Sequence, residues 1–303
     1  MNLTAKPEPA SAENRLATYL SFVRFSHSVF ALPFALTGAL LALHSTSALR
    51  AALPANIGWR LLWIVVAMVA ARSAAMGFNR LVDRHYDAKN PRTAMRELPR
   101  GVMTSVEAAL FVTISSIAFL FCAYRLSTLC AILAPVALVI VFWYSLAKRV
   151  TPYTQLFLGL AMAVAPVGGW IAAGGRGGWE PWLLGLAIGL WVGGFDILYA
   201  CQDVEFDRGH GLRSIPTRFG VPRAVLLSRL MHVATVVVMV LLWRVADLPP
   251  LYLGGVAFVA VLLAYEQSLV SPEDLSQVKK AFDLNGYVGI VYFAATALAL
   301  YLG

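Results

Sequence analysis

Apolar residues fall in long runs along this chain, with short polar or charged connections between them. A membrane-spanning helix needs about 20 mostly apolar residues. Nine stretches meet that length, at roughly 17–43, 60–82, 105–124, 127–147, 154–173, 181–202, 222–245, 250–270 and 286–302. Pro33, Pro135 and Pro166 lie inside these runs and are expected to kink them, while Pro222 suits a helix start. Ser271-Pro272-Glu273-Asp274 reads as a capping box opening a short interfacial helix before the last span. The pattern predicts an all-α integral membrane protein with 16–303 as a single polytopic domain. Residues 1–15, MNLTAKPEPASAENR, have no apolar core and match neither a signal peptide nor a transit peptide, so a disordered cytoplasmic leader is expected.

Composition supports the membrane reading and excludes others. Mean hydropathy is +0.72 and only 13% of residues are charged, against about 25% in soluble domains. A net charge of +8 would suggest nucleic acid for a soluble basic domain; in a polytopic chain it reports orientation, and the expected partner is the lipid bilayer, with no nucleic acid. Nine spans alternate sides. Of the 24 Lys and Arg, only Arg50, Arg60, Arg125, Arg176 and Arg244 fall on the face opposite the leader, which makes the leader's face cytoplasmic. A bacterial cytoplasmic (inner) membrane is the expected location. Cys122, Cys130 and Cys201 sit in apolar runs without metal-finger spacing and read as small core residues.

The acids are biased too. Of the 16 Asp and Glu, only Glu180 and Asp247 fall on the far face, and the orientation rule does not account for this because acids contribute little to it. Two clusters do. In Asn79-x3-Asp83-x3-Asp87 each four-residue step advances about 40° on a helix, so the three side chains share one face. In Asp196-x6-Asp203-x3-Asp207 the carboxylates lie within about 20° of one line if a single helix carries them, with Asp196 deepest. An intramembrane Asp costs about 2.5–3.5 kcal/mol at a helix centre, so this stripe should face the bundle interior. Aligning Asp83 with Asp203 also aligns Asp87 with Asp207, a weak parallel repeat of four-helix units whose two clusters reach the same membrane face.

Two carboxylate clusters at one face suit Mg²⁺, a hard cation that shares itself between carboxylates and substrate phosphates. Cations surround them: Arg72, Arg80, Arg92 and Arg96 by the first, Lys148 and Arg149 after the fourth span, Arg208 and Arg213 by the second. Lys and Arg clamp phosphate oxygens. Acid and base together at the mouth of an apolar bundle suggest a lipid diphosphate. The plainer alternatives are a solvated helix end of internal ion pairs and the ion path of a coupled transporter. A transporter should carry its coupling charges near the midplane, whereas these lie at one face.

N-R-L-V-D-R-H-Y-D from Asn79, D-V-E-F-D from Asp203 and Y-S-L-A-K-R from Tyr144 together resemble the UbiA superfamily of intramembrane prenyltransferases, and the likeness runs from R-F-S-H-S-V-F-A-L-P-F at Arg24 to I-P-T-R-F-G at Ile215. The resemblance implies nine transmembrane helices around a central cavity, two four-helix pseudo-repeats plus a ninth helix. It implies that Asn79, Asp83, Asp87, Asp203 and Asp207 hold Mg²⁺ on a polyprenyl diphosphate, and that Asp196 stands behind them or beside the acceptor. Lys148, Arg149, Arg72, Arg80, Arg208 and Arg213 would steady the leaving diphosphate. Tyr144, with Tyr153 and Tyr199, would shield an allylic cation attacked by an aromatic ring. Arg24 and His27 lie in the first span, where an Arg is a functional candidate by default; snorkelling to the interface is the alternative for Arg24. The chain is most similar to the branch acting on small hydroxyaryl carboxylates, the 4-hydroxybenzoate polyprenyltransferases and their relatives in menaquinone formation. Many ubiquinone-pathway members read R-T-x-x-R-P-L after the first motif. This chain has Arg96-Glu97-Leu98-Pro99 instead, which keeps a naphthoate-type acceptor in play. The D-x2-D-G-x2-A-R signature of phosphatidyltransferases is absent, as is the haem farnesyltransferase pattern.

Overall fold

Helix boundaries fall where the sequence supplies caps and prolines. The computed structural model describes residues 12–23, 31–46 and 56–302. In chain order the helices are α1 (Ala12–Phe22), α2 (Leu32–Ser45), α3 (Ile57–Asp87), α4 (Ser105–Leu126), α5 (Thr128–Ala147), α6 (Thr154–Ala172), α7 (Glu180–Ala200), α8 (Val204–Gly209), α9 (Ile215–Phe219), α10 (Val221–Val245), α11 (Leu251–Ser268) and α12 (Val278–Leu302), with a 3₁₀ turn at Cys201–Asp203 between α7 and α8. At α4 the Thr104 side chain accepts from the Glu107 backbone N–H at 3.1 Å, and the Glu107 carboxylate accepts from the Thr104 N–H at 2.8 Å. Ser127 caps α5 and Ser214 caps α9, while Pro222 opens α10.

Among the described residues, eight helices are long and apolar enough to cross a membrane by length and composition, and α2 is a shorter apolar helix. The protein is a multi-pass, all-α integral membrane protein. Neighbours pack in chain order from α3 through α7, then α7 on α10, α10 on α11 and α11 on α12; α12 returns to α2, which also touches α3 and α6 and closes the ring. The two halves of the ring differ. Phe34, Trp191, Tyr252 and Tyr292 are fully buried in a continuous core among α2, α7, α10, α11 and α12. On the other side α3, α5, α6 and α7 stand around an apolar cavity of about 660 Å³.

Helices come closest where neither carries a side chain. A methyl group at Gly38 on α2 would lie 2.0 Å from the Pro166 carbonyl oxygen, and one at Gly169 on α6 would lie 1.9 Å from that of Ala35. Small residues let backbones meet where lipid gives helices no hydrophobic reason to associate. Several polar groups buried in the solid half are paired, as a low-dielectric surrounding favours, while Trp243 Nε1, Glu266 Oε1 and Gln267 Oε1 have no hydrogen-bond partner among the described residues. Trp191 donates to the Asn285 amide oxygen at 2.7 Å, Tyr252 and Tyr292 share a hydroxyl bond of 2.7 Å, and Gln267 bonds Ser228 at 2.8 Å and His232 at 2.9 Å.

Four local expectations are corrected. The apolar run at 17–43 is not described as one helix: α1 ends at Phe22, α2 begins at Leu32, and residues 24–30 lie outside the described residues. Pro33 therefore sits in the first turn of α2, where a missing N–H costs nothing, rather than kinking a span. Ser271 to Asp274 forms a turn closed by reciprocal backbone bonds of 3.1 and 3.2 Å, with the Ser271 hydroxyl accepting from Asp274, and no helix follows before α12. Finally, Asp196, Asp203 and Asp207 do not share one continuous α-helix, because a 3₁₀ turn at Cys201–Asp203 separates α7 from α8.

Candidate active site

The first acidic motif lies on uninterrupted helix. α3 runs to Asp87, so Asn79, Asp83 and Asp87 follow one another at single turns on its inner face, and Asn79 donates to Asp83 at 3.4 Å. The 3₁₀ turn brings the second motif to the same place from the opposite wall. A polar cavity of about 190 Å³ is lined by Asn79, Asp83 and Asp87 from α3, by Tyr144 and Lys148 from the end of α5, and by Asp196, Asp203 and Asp207 from the α7–α8 wall. Tyr144 also lines the apolar cavity, and is the wall the two share.

Charge in this cavity is arranged as interlocked pairs. Asp83 accepts from Lys148 at 2.6 Å and from Arg149 at 3.0 Å, and Arg149 is further anchored on the Val82 carbonyl at 2.7 Å. Arg96 reaches both oxygens of Asp87 at 2.8 Å. Arg92 forks onto Asp203, its Nε donating to Oδ1 at 3.1 Å and its Nη2 to Oδ2, while Nη1 donates to the Tyr199 hydroxyl at 2.7 Å. Asn90 donates to the same Asp203 Oδ1 at 3.4 Å. Burial opposes charge on Arg92, but the Asp203 carboxylate more than offsets it and holds the guanidinium above its usual range. The carboxylates of Asp196 and Asp207 make no hydrogen bond among the described residues, and the Ser145 hydroxyl, buried in the wall, has no partner either.

The structure sorts the sequence-predicted residues. It brings together Asn79, Asp83, Asp87, Asp203, Asp207, Asp196, Lys148 and Tyr144 around one cavity, with Arg149 bonded to Asp83 beside it. Arg72 lines the apolar cavity below, and its Nε has no hydrogen-bond partner among the described residues. Arg80 is buried against Glu97 at 3.3 Å and does not line the polar cavity. Arg208 is exposed. Arg213 is exposed as well and ties its loop to the Val150 carbonyl at 2.6 Å. Tyr153 packs on Phe219 outside the cavity. Arg24 and His27 lie outside the described residues.

Arg92 and Arg96, counted among the cations around the first motif, reach the cavity, and so do Asn90 and Tyr86, which had not been assigned to it; the Tyr86 ring lies 5.8 Å from the Lys148 ammonium and 5.6 Å from the Arg149 guanidinium. The first three sit on the connection between α3 and α4, which folds back over the cavity. Their signal in the sequence was the density of charge after Asp87, which marks the segment but not its path. Glu97, the departure in the segment after the first motif, faces away: besides Arg80 it accepts from the Ser21 hydroxyl of α1 at 2.6 Å.

Comparison with known proteins agrees with this geometry. The UbiA prenyltransferase family model matches residues 31–296. A 4-hydroxybenzoate octaprenyltransferase of Citrobacter koseri is 32% identical over 271 residues, 88% of this chain and 92% of the relative. One of Aliivibrio fischeri is 30% identical over 245 residues, 80% and 85%. Among solved structures, a UbiA homologue from Aeropyrum pernix superposes with a TM-score of 0.80 at 32% identity, covering 90% of this chain and 97% of that one. A UbiA homologue from Archaeoglobus fulgidus bound to GPP and Mg²⁺ shares the fold, with a TM-score of 0.66 at 18% identity over 92% of this chain and 99% of that one.

Proposed function

The chain belongs to the UbiA prenyltransferase family and is a prenyltransferase, and from that premise we propose that it transfers a polyprenyl group from a polyprenyl diphosphate to a hydroxyaryl carboxylate of the 4-hydroxybenzoate type, in a Mg²⁺-dependent step of quinone biosynthesis. The transporter reading is set aside with that membership. The observation that carries the proposal is the junction at Tyr144 of a polar cavity rich in paired charge with an apolar cavity of about 660 Å³. One end suits a diphosphate and the other an isoprenoid tail.

The donor set fits Mg²⁺. Among the described residues no three acidic or imidazole side chains stand ready to hold an ion by themselves. Mg²⁺ usually takes only one or two carboxylates and completes its shell with water and phosphate oxygens, so Asp83 with Asp87, Asn79 beside them, and Asp203 with Asp207 are sufficient donors. When bound, the metal neutralises negative charge on the leaving group.

The chain's own residues supply the rest. Lys148, Arg149, Arg92 and Arg96 lie within reach of diphosphate oxygens and stabilise the charge that develops as the allylic C–O bond breaks, its electron pair leaving with the diphosphate. The rings of Tyr144 and Tyr199 face the resulting allylic cation. A carbon of the acceptor ring supplies the electron pair of the new C–C bond, and the ring recovers its aromaticity by releasing a proton. Asp196, deep in the polar cavity and without a partner among the described residues, is placed to receive that proton on its carboxylate. The predominance of basic residues on the connections at this end supports the reading that the site faces the cytoplasm.

A product-mass assay tests the reading: purified protein in detergent with Mg²⁺, a polyprenyl diphosphate and either 4-hydroxybenzoate or 1,4-dihydroxy-6-naphthoate. A prenylated 4-hydroxybenzoate that EDTA abolishes is the expected product. Prenylation of the naphthoate alone would move the enzyme to menaquinone formation. No product with either acid would refute the acceptor class.

A further inference from the structure

We propose that Arg92 is an exchangeable counter-ion, which holds Asp203 until a divalent cation takes that carboxylate and then turns to the diphosphate. The proposal rests on the metal-and-diphosphate reading above and assigns to one residue the coupling between the two ligands.

The contacts at Asp203 carry the argument. Both of its oxygens accept from the same guanidinium, and Oδ1 accepts from Asn90 as well. A cation bound at the usual 2.0–2.1 Å for Mg²⁺ would meet a like charge already occupying the carboxylate. Metal at Asp203 therefore requires Arg92 to leave.

Arg92 is built to leave. It belongs to the connection between α3 and α4 rather than to a helix, and its side chain is 34% exposed. Its backbone is fixed, with the Arg92 N–H donating to the Asn90 side-chain oxygen at 3.0 Å, so the side chain swings from a constant pivot. Arg149, by contrast, is anchored on the Val82 carbonyl, and Asp83 keeps one cation if it loses the other. Arg92 also differs from Arg96 in spanning the cavity: it springs from the loop after the first motif and closes on the second. Once released, the guanidinium stands over the same cavity beside Lys148 and presents two parallel N–H groups, the geometry that matches phosphate oxygens.

The exchange makes cation and diphosphate cooperative. The metal pays to expel Arg92 and the diphosphate receives it, so each ligand lowers the cost of binding the other. Replacing Arg92 with a neutral side chain should therefore help the metal alone and harm the metal with diphosphate. Mere structural damage would harm both.

The test uses the full chain in detergent, Mn²⁺ as the paramagnetic cation read by electron spin resonance, and geranyl thiolodiphosphate, whose C–S bond resists cleavage. Without the thiolodiphosphate, Arg92→Gln should bind Mn²⁺ about fivefold more tightly than the wild type, about 1 kcal/mol at 1.4 kcal/mol per tenfold, the size of a partly exposed ion pair. With saturating thiolodiphosphate the order should reverse. Tyr199→Phe, which removes only the second anchor of Arg92, should shift Mn²⁺ affinity the same way by a smaller factor. An Arg92→Gln variant that binds Mn²⁺ no better than wild type alone, or keeps its advantage with thiolodiphosphate present, overturns the exchange. If that happens while the wild type still forms product with Mg²⁺, the exchange falls and the reading of the site stands. A wild type that binds no Mn²⁺ in either condition removes both.

Discussion

At the scale of single residues, the site separates carboxylates that hold the cavity together from those that only face it. Asp83 neutralises two cations that reach it from the end of α5, so its loss leaves Lys148 and Arg149 without their partner. Asp83→Ala should abolish turnover and also lower the thermal midpoint in detergent by several degrees, the effect of losing about 2 kcal/mol of charged hydrogen bonding. Asp207 offers a cleaner comparison, because its carboxylate bonds nothing among the described residues. Asp207→Ala should lower the rate by about 10²–10³, the typical cost of one electrostatic contact to a transition state, with the thermal midpoint unchanged. A variant retaining near-normal rate would remove Asp207 from the metal-binding set. The first acidic motif was legible as sequence because helical spacing dictates which side chains share a face; the second was legible as a cluster of acids at the same membrane face, not as one helical stripe. The cations were not sorted as well. Arg80 and Arg92 lie one and five residues from Asn79 and Asp87 respectively, yet Arg80 turns to Glu97 and Arg92 crosses to Asp203. Spacing is informative along a helix and silent about where a loop travels.

At the scale of elements, backbone contacts between helices limit substitution more tightly than burial does. The approach of α2 to α6 at Gly38 and Gly169 leaves no space for a methyl group on either side. Gly169→Ala should destabilise the protein by about 1–3 kcal/mol, the range for overpacking a closed contact, whereas Gly168→Ala, one position earlier and with open space around it, should leave thermal stability within error. Thermal unfolding in one detergent compares the two. Span boundaries from Ile57 onward were readable within a few residues, because apolar runs of the required length alternate with capped polar turns, except that α3 runs on past 82 to Asp87 and α12 starts at Val278, well before the expected 286. The break after Ala200 was not. Cys201-Gln202-Asp203 contains neither Gly nor Pro to mark the turn, which lies where α9 packs against both α7 and α8.

At the scale of the whole molecule, the ring of helices has one solid half and one hollow half, and the charged mouth lies over the border between them. A cysteine placed at Arg100, in the connection that folds over the mouth, should react with a membrane-impermeant maleimide only from the cytoplasmic side of oriented vesicles; labelling from the other side would invert the topology. Glu97 illustrates a limit of reading function from a departure in a motif. It stitches α1 and α3 to the loop through Ser21 and Arg80 and does not line the polar cavity. Tyr144, as the wall common to both cavities, has a consequence for traffic. The proposed reaction divides its substrate at that boundary into a water-seeking part and a lipid-seeking part. On that reading diphosphate would be released on the charged side, while the prenylated ring would stay joined to a tail lying in the apolar cavity among α3, α5 and α6. The two products would then depart by different doors, and the prenylated product would enter the bilayer without ever having been dissolved in water.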